Sequence, residues 1–180
     1  RSRGAERHCG IISPPPNMKL ARAIIDLASK EIGVEEINGS NCGPRVNEYK
    51  AATNLPPNEA WPWCAAFVCW LVREAMKVCG LKETATFKRP TTAGAWAFEQ
   101  WSLKQDGTTQ TRRLHHGDIE AGDIVIFTFS HIGIATGPPE MGRIPTIEGN
   151  TDGQGSREGG AVLRKSRRVE QIKCRIRFTV

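Results

Sequence analysis

The stretch WPWCAAFVCW, residues 61–70, sets a cysteine at the mouth of the longest apolar run of the chain, among three tryptophans and a phenylalanine. Apolar residues continue nearly all round for three turns, and charge returns only at Arg73, Glu74 and Lys77, before Gly80. This pattern predicts a helix over residues 63–78, buried in the middle of a domain. Pro62 favours a helix start there, which puts Cys64 in the first turn. A thiol at that position meets the positive end of the helix dipole and unpaired amides, and both stabilise a thiolate. A small core residue would fill the same place, so the question turns on what surrounds it.

Upstream, Leu20, Ile24, Leu27, Ala28 and Glu31 form one stripe of a helix predicted from Met18 to about Glu31, with Asn17 as its cap and Gly33 beyond its end. Residues 1–17 carry no periodicity and end in three prolines, so they read as a disordered leader or a cloning remnant. Residues 18–180 then form a single domain. NCGPRVNEYKAATNLPPNEA, residues 41–60, reads as loop, and TTAGAWAFEQWSL, residues 91–103, as a third short helix. Downstream come short strands: DIVIF (123–127), HIGIAT (131–136), TIEGN (146–150) and AVLR (161–164). The last segment alternates, with Ile172, Cys174, Ile176 and Phe178 on one face and Lys173, Arg175 and Arg177 on the other. Helices first and antiparallel strands afterwards give an α+β fold, with N-terminal helices packed on an antiparallel β-sheet.

A chain of 180 residues, 39% hydrophobic and 24% charged, is long enough to bury a real core. Its apolar runs fall far short of the ~20 residues that span a bilayer. The basic start has no apolar core beyond Ile11 and Ile12, so no signal peptide is expected. The net charge of +6 favours polyanionic surroundings such as nucleic acid, a bacterial wall or anionic lipid. Besides the C-terminal basic face, RKSRR (Arg164 to Arg168) adds a second cluster, either a solvated face or a docking patch. Six cysteines are spread without a CxxC, in a chain lacking a secretion signal, so reduced thiols are expected and zinc is not.

A thiolate nucleophile needs a general base and a group to orient it. Of the four histidines, His8 lies in the leader and His115 and His116 in a charged turn. His131 opens a strand and shares a face with Gly133 and Ala135, while Glu148 and Asn150 share a face of the next strand. If those strands pair, the imidazole meets a carboxylate and an amide across the ladder.

The order WCAAFV, AGDIVIF, HIGIATG, IEGNT strongly resembles the CHAP family, the cysteine- and histidine-dependent amidohydrolases and peptidases with a papain-like core. NCGPRVNEY is similar to its phage-type branch, and the resemblance spans roughly Leu20 to Phe178. It implies a peptidoglycan hydrolase of the phage endolysin kind, an N-acetylmuramoyl-L-alanine amidase or an endopeptidase. Cys64 is then the nucleophile, His131 the base, Glu148 the group orienting the imidazole, and Asn150 a further polar support. The Cys64 N–H supplies one oxyanion donor, and Asn58 or Tyr49 the second, although Tyr49 reads equally as a packing residue. Trp61 and Trp63 either line the substrate groove or close the core. Cys69 departs from the small polar residue common in relatives. The Asp-rich calcium loop of some relatives is missing before Cys64, so no cofactor or metal is expected. The implied setting is the host cytoplasm until release to the wall, as a monomer bound to peptidoglycan and to anionic wall polymer or lipid, not nucleic acid. Two other readings stand beside it: a cysteine amidase or peptidase on a non-wall substrate, and a non-catalytic polyanion-binding module.

Overall fold

The computed structural model describes residues 20–112, 118–154 and 159–180. The leader, the Met18 start, His115 and His116 lie outside them. Four helices come first: α1 (Leu20–Lys30), α2 (Pro44–Lys50), α3 (Cys64–Val78) and α4 (Ala97–Ser102). The strands follow as β1 (Thr109–Arg112), β2 (Ile124–Phe127), β3 (Ile132–Ala135), β4 (Arg143–Thr151), β5 (Ala161–Arg168) and β6 (Ile172–Phe178). They form one antiparallel sheet in the order β1-β6-β2-β3-β4-β5. The fold is α+β.

α3 is the central helix because its sequence has nowhere else to go: eleven of its fifteen residues are buried. It lies on the sheet face carrying Ile124, Ile126, Ile132, Ile134 and Ile147, with α1 and α2 packed beside it. Each fully buried side chain of this size contributes ~1.5–3 kcal/mol. The helix comes close to the sheet at Gly149, where a Cβ would lie 2.9 Å from Phe67 Cβ and from the Trp63 ring. The opposite face carries a second cluster, with Val125, Phe127, Ala135, Ile144, Val169 and Ile172 at its centre. A register shift at Ile126/Phe127 turns Ile172 into this cluster, away from Cys174 and Ile176, so the expected alternation of the last segment holds only from Cys174 onward.

Four further differences from the sequence reading have physical causes. The loop of residues 41–60 contains α2, a helix anchored from outside by buried Val46, Tyr49 and Lys50 despite its Asn, Gly and Pro content. The helix predicted over 91–103 shortens to α4, and residues 91–96 stay irregular around Gly94. β1 pairs with β6 without any apolar alternation of its own. The C-terminal basic face is not solvated, because β6 runs inside the sheet and each cation meets an acid. Lys173 pairs with Glu99. Arg175, fully buried, meets Asp118 at 2.9 Å, and Arg177 meets Asp123 at 2.8 Å and Glu120 at 2.6 Å.

The cysteines of the described residues are all free thiols. None of the helices among those residues is long and apolar enough to cross a membrane.

Candidate active site

Cys64 is the first residue of α3, 6% exposed, and it borders a cleft of about 230 Å³. Leu55, Trp61, Pro62, Ala93, Gly94, Ala95 and Ser130 line it with Cys64. A larger hollow of about 610 Å³, bordered by Glu35, Glu36 and Asp152, does not include Cys64. As the first helical residue, Cys64 has a backbone N–H with no intrahelical acceptor, aimed out of the helix start.

His131 sits at the head of β3, fully buried, its ring stacked near those of Phe127 and Phe129. Ser130, just before it, holds a left-handed φ of 58°, a conformation costly for a residue with a Cβ and often found at working sites. His131 Nε2 lies 3.0 Å from Glu148 Oε2, which leaves Nδ1 as the nitrogen free to face Cys64. Nδ1 has no partner of regular hydrogen-bond geometry among the described residues, yet thiol and ring are within reach of each other. Burial opposes charge on this imidazole, but Cys64 first and Glu148 second outweigh it and lift its pKa to about 9. Thiol–imidazole contacts of this kind tighten when substrate binds.

The ladder explains how Glu148 arrives there. β3 and β4 pair Ile134 with Ile147, so Gly133 stands opposite Glu148 and His131 lies two residues further along the same face. The Glu148 side chain crosses over Gly133, where a Cβ would come within 2.6 Å of its Cγ. Only glycine leaves that path open. The carboxylate is fully buried, and burial alone would favour its protonation. His131 and Arg167 reverse that effect and hold its pKa low, at about 2. Thr146 donates to Oε1 at 2.6 Å. Arg167, on β5, donates from Nε to Oε1 at 2.9 Å and from Nη2 to Oε2 at 2.5 Å.

Arg167 was missed in the sequence, where RKSRR reads as a surface run. It borders the basic groove of β5, but its guanidinium is paired with Glu148 and not with solvent. Asn150 is a second correction. Its Oδ1 accepts the Trp63 backbone N–H at 2.9 Å, and its Nδ2 donates to Asn41 Oδ1 at 3.1 Å and Gly159 O at 2.7 Å. It therefore fixes the residue before Cys64 and does not bond the imidazole. Tyr49 is fully buried and donates to Glu31 Oε2 at 2.5 Å, so its hydroxyl is not available to an oxyanion. The Asn58 amide meets that of Asn47 at 3.3 Å, and Asn58 is not part of the cleft wall. Trp63 is fully buried, with its indole N–H on Glu36 at 2.8 Å, and closes the core, whereas Trp61 does line the cleft.

A family model described as the CHAP domain matches residues 56–150. The chain belongs to the CHAP family. No curated protein matches the chain. The match spans Cys64, His131, Glu148 and Asn150 and ends before Arg167. A CHAP domain makes the chain a cysteine- and histidine-dependent hydrolase of the amidohydrolase or peptidase kind. No group of three or more His, Cys, Asp or Glu side chains able to hold a metal ion occurs among the described residues.

Proposed function

We propose that this CHAP protein is a peptidoglycan hydrolase of the phage endolysin kind, cutting an amide bond of the bacterial wall through Cys64. The observation carrying this reading is the line Cys64–His131–Glu148, with the thiol at a cleft and the imidazole anchored at 3.0 Å. CHAP domains commonly act on peptidoglycan, which supports the substrate class. Residues 18–180 act as one catalytic domain.

The steps follow from the charges. Cys64 Sγ attacks the amide carbonyl carbon, and the Cys64 N–H donates to the oxygen as it gains charge. The C–N bond breaks as the imidazolium of His131 gives its proton to the leaving amine. Water then attacks the thioester while neutral His131 takes its proton, the C–S bond breaks, and the Cys64 thiolate returns. Glu148 keeps the ring oriented and stabilises its charged form. Asn150 serves the site through the helix start. Trp61 lines the groove. Anionic wall polymer is held by the exposed cations of β5, and the enzyme acts as a monomer released from the host cytoplasm.

The experiment is turbidity clearance of purified sacculi with mass spectrometry of the released muropeptides. Wild-type protein releases a new amine and carboxyl terminus, and Cys64→Ser or His131→Ala releases none while keeping its circular dichroism. Release by either variant overturns the assignment. Wild-type protein inert on sacculi but labelled at Cys64 by iodoacetamide at neutral pH would favour a non-wall amide substrate.

A further inference from the structure

Glu148 is gripped on both sides. On one side is His131. On the other, the Arg167 guanidinium makes a two-toothed contact with both carboxylate oxygens and also reaches Thr151 Oγ1 at 3.4 Å. That guanidinium lies 5.6 Å and 5.3 Å from the ring centres of Phe127 and Phe129, the same two rings that stack on His131. Arg167, Glu148 and His131 thus share one enclosed box, and Arg167 is 6% exposed. Burying an arginine is costly unless it is fully paired. A single surface carboxylate would have been a cheaper partner, so the burial calls for a reason.

Resting on the reading above, we propose that Arg167 is a positioning residue of the CHAP site. It locks Glu148 into the orientation that crosses Gly133 toward His131, and it keeps that carboxylate ionised through the half of the cycle in which the imidazole is neutral.

The physical need arises after the leaving amine takes the His131 proton. Glu148 would then be a buried anion facing a neutral ring, and such a carboxylate tends to recover a proton. Once protonated, Glu148 would no longer accept from Nε2–H, and the ring would lose the orientation and tautomer that leave Nδ1 facing the thiol and the water. A fixed guanidinium held against both carboxylate oxygens removes that tendency. It also repels a proton on His131, which offsets part of the lift from Glu148 and leaves the imidazolium acidic enough to protonate an amine. The charged or titratable groups facing the His131–Glu148 pair are Cys64 from α3 and Arg167 from β5, with Thr146 and Thr151 as neutral neighbours.

The test compares Arg167→Met and Arg167→Lys with wild type. Nitrogen-detected NMR of the imidazole reads the titration of His131 without any substrate, so its outcome stands apart from whether the wall is cut. In Arg167→Met the midpoint rises by about one pH unit or more, a tenfold gain in proton affinity, and in Arg167→Lys it stays near the wild-type value. On sacculi, Arg167→Met loses kcat with little change in KM. In a Glu148→Gln background the same substitution adds little further loss, because its effect runs through Glu148. An unmoved His131 midpoint, or losses that simply add in the double variant, would reduce Arg167 to a structural residue and overturn the proposal. If Arg167→Met does not fold, Arg167→Gln keeps N–H donors for Glu148 without the charge, and the same midpoint shift decides.

Discussion

The Asn150 side-chain oxygen accepts the Trp63 backbone N–H at 2.9 Å, one residue before Cys64, and so joins β4 to the start of α3. Asn150 holds a left-handed φ of 56°, which asparagine tolerates better than most residues. Its other amide bonds bind Asn41 and Gly159, so one side chain ties three segments together.

Asn150→Ala should therefore destabilise the protein and slow it by the same route. Leaving the buried Trp63 N–H without a partner costs about 1–3 kcal/mol. Thermal unfolding should fall by several degrees, and lysis should fall with it. The pH profile should keep its shape, because Asn150 does not touch the imidazole. Glu148→Gln should move the profile, and it should lower the melting temperature as well, because it leaves buried Arg167 without its anion. A shifted profile with unchanged melting temperature in Asn150→Ala would return Asn150 to the imidazole.

Gly133→Ala tests the crossing of Glu148. The new Cβ would stand 2.6 Å from Glu148 Cγ and 3.1 Å from the Ile147 carbonyl, so the carboxylate must leave its path. Overpacking of this kind costs about 1–3 kcal/mol. A displacement near 1 Å at a positioning group lowers rate about 100-fold. Lysis assays on folded Gly133→Ala protein should show that loss in kcat. Activity within a few-fold of wild type would mean that Glu148 does not need to lie across residue 133.

Much of this site is legible in the residues themselves. A helix start at Pro62 announces Cys64, and a two-residue alternation puts His131 and Glu148 on one face. The same alternation misplaces Asn150, because the ladder between β4 and β5 shifts register after Glu148 and the left-handed turn at 150 swings the amide toward α3. Arg167 is hidden for a different reason. Within a run of cations nothing local marks the one that points inward, and its partner is 19 residues away in sequence. Tyr49 and Trp63 look like groove residues because aromatic rings suit both grooves and cores. Only α2, itself held by tertiary contacts, shows them to be core.

Stability should peak in mildly acidic solution. The raised pKa of His131 gives stability that is complete below its ordinary value of 6.5 and is lost as pH climbs through about 9. The lowered pKa of Glu148 gives stability that is complete above its ordinary value of 4.5 and is lost as pH falls through about 2. Both contributions are whole only between those ordinary values. Melting temperature followed from pH 2 to pH 10 should show a plateau there. His131→Asn should flatten the alkaline decline relative to wild type; an identical decline in both proteins would assign it to other groups.

The last prediction concerns charge on β5. With the Arg167 charge paired and the β6 cations neutralised, the cations left around the β5 groove of about 430 Å³ are Arg143, Arg164, Lys165 and Arg168. Arg143 and Lys165 bond only neutral oxygens, of Ser166 and of the Asp152 and Gly153 backbone, so their charge is not cancelled there. No salt bridge engages Arg164 or Arg168 among the described residues, and both are exposed. If this groove holds an anionic wall polymer, sacculus binding should weaken steeply as salt shortens the screening length. Each exposed cation contributes on the order of 0.5–1 kcal/mol, so Arg164→Gln, Lys165→Gln and Arg168→Gln together should lower affinity by about tenfold or more at low salt. Cleavage of a small soluble muropeptide should be unchanged, because the groove and the cleft at Cys64 share no lining residue. Arg177→Gln gives the contrast: it leaves Asp123 short of a partner, so melting temperature should fall while sacculus affinity holds. Equal losses on wall and muropeptide, or a salt dependence that survives the triple substitution, would show that these cations only keep the protein in solution.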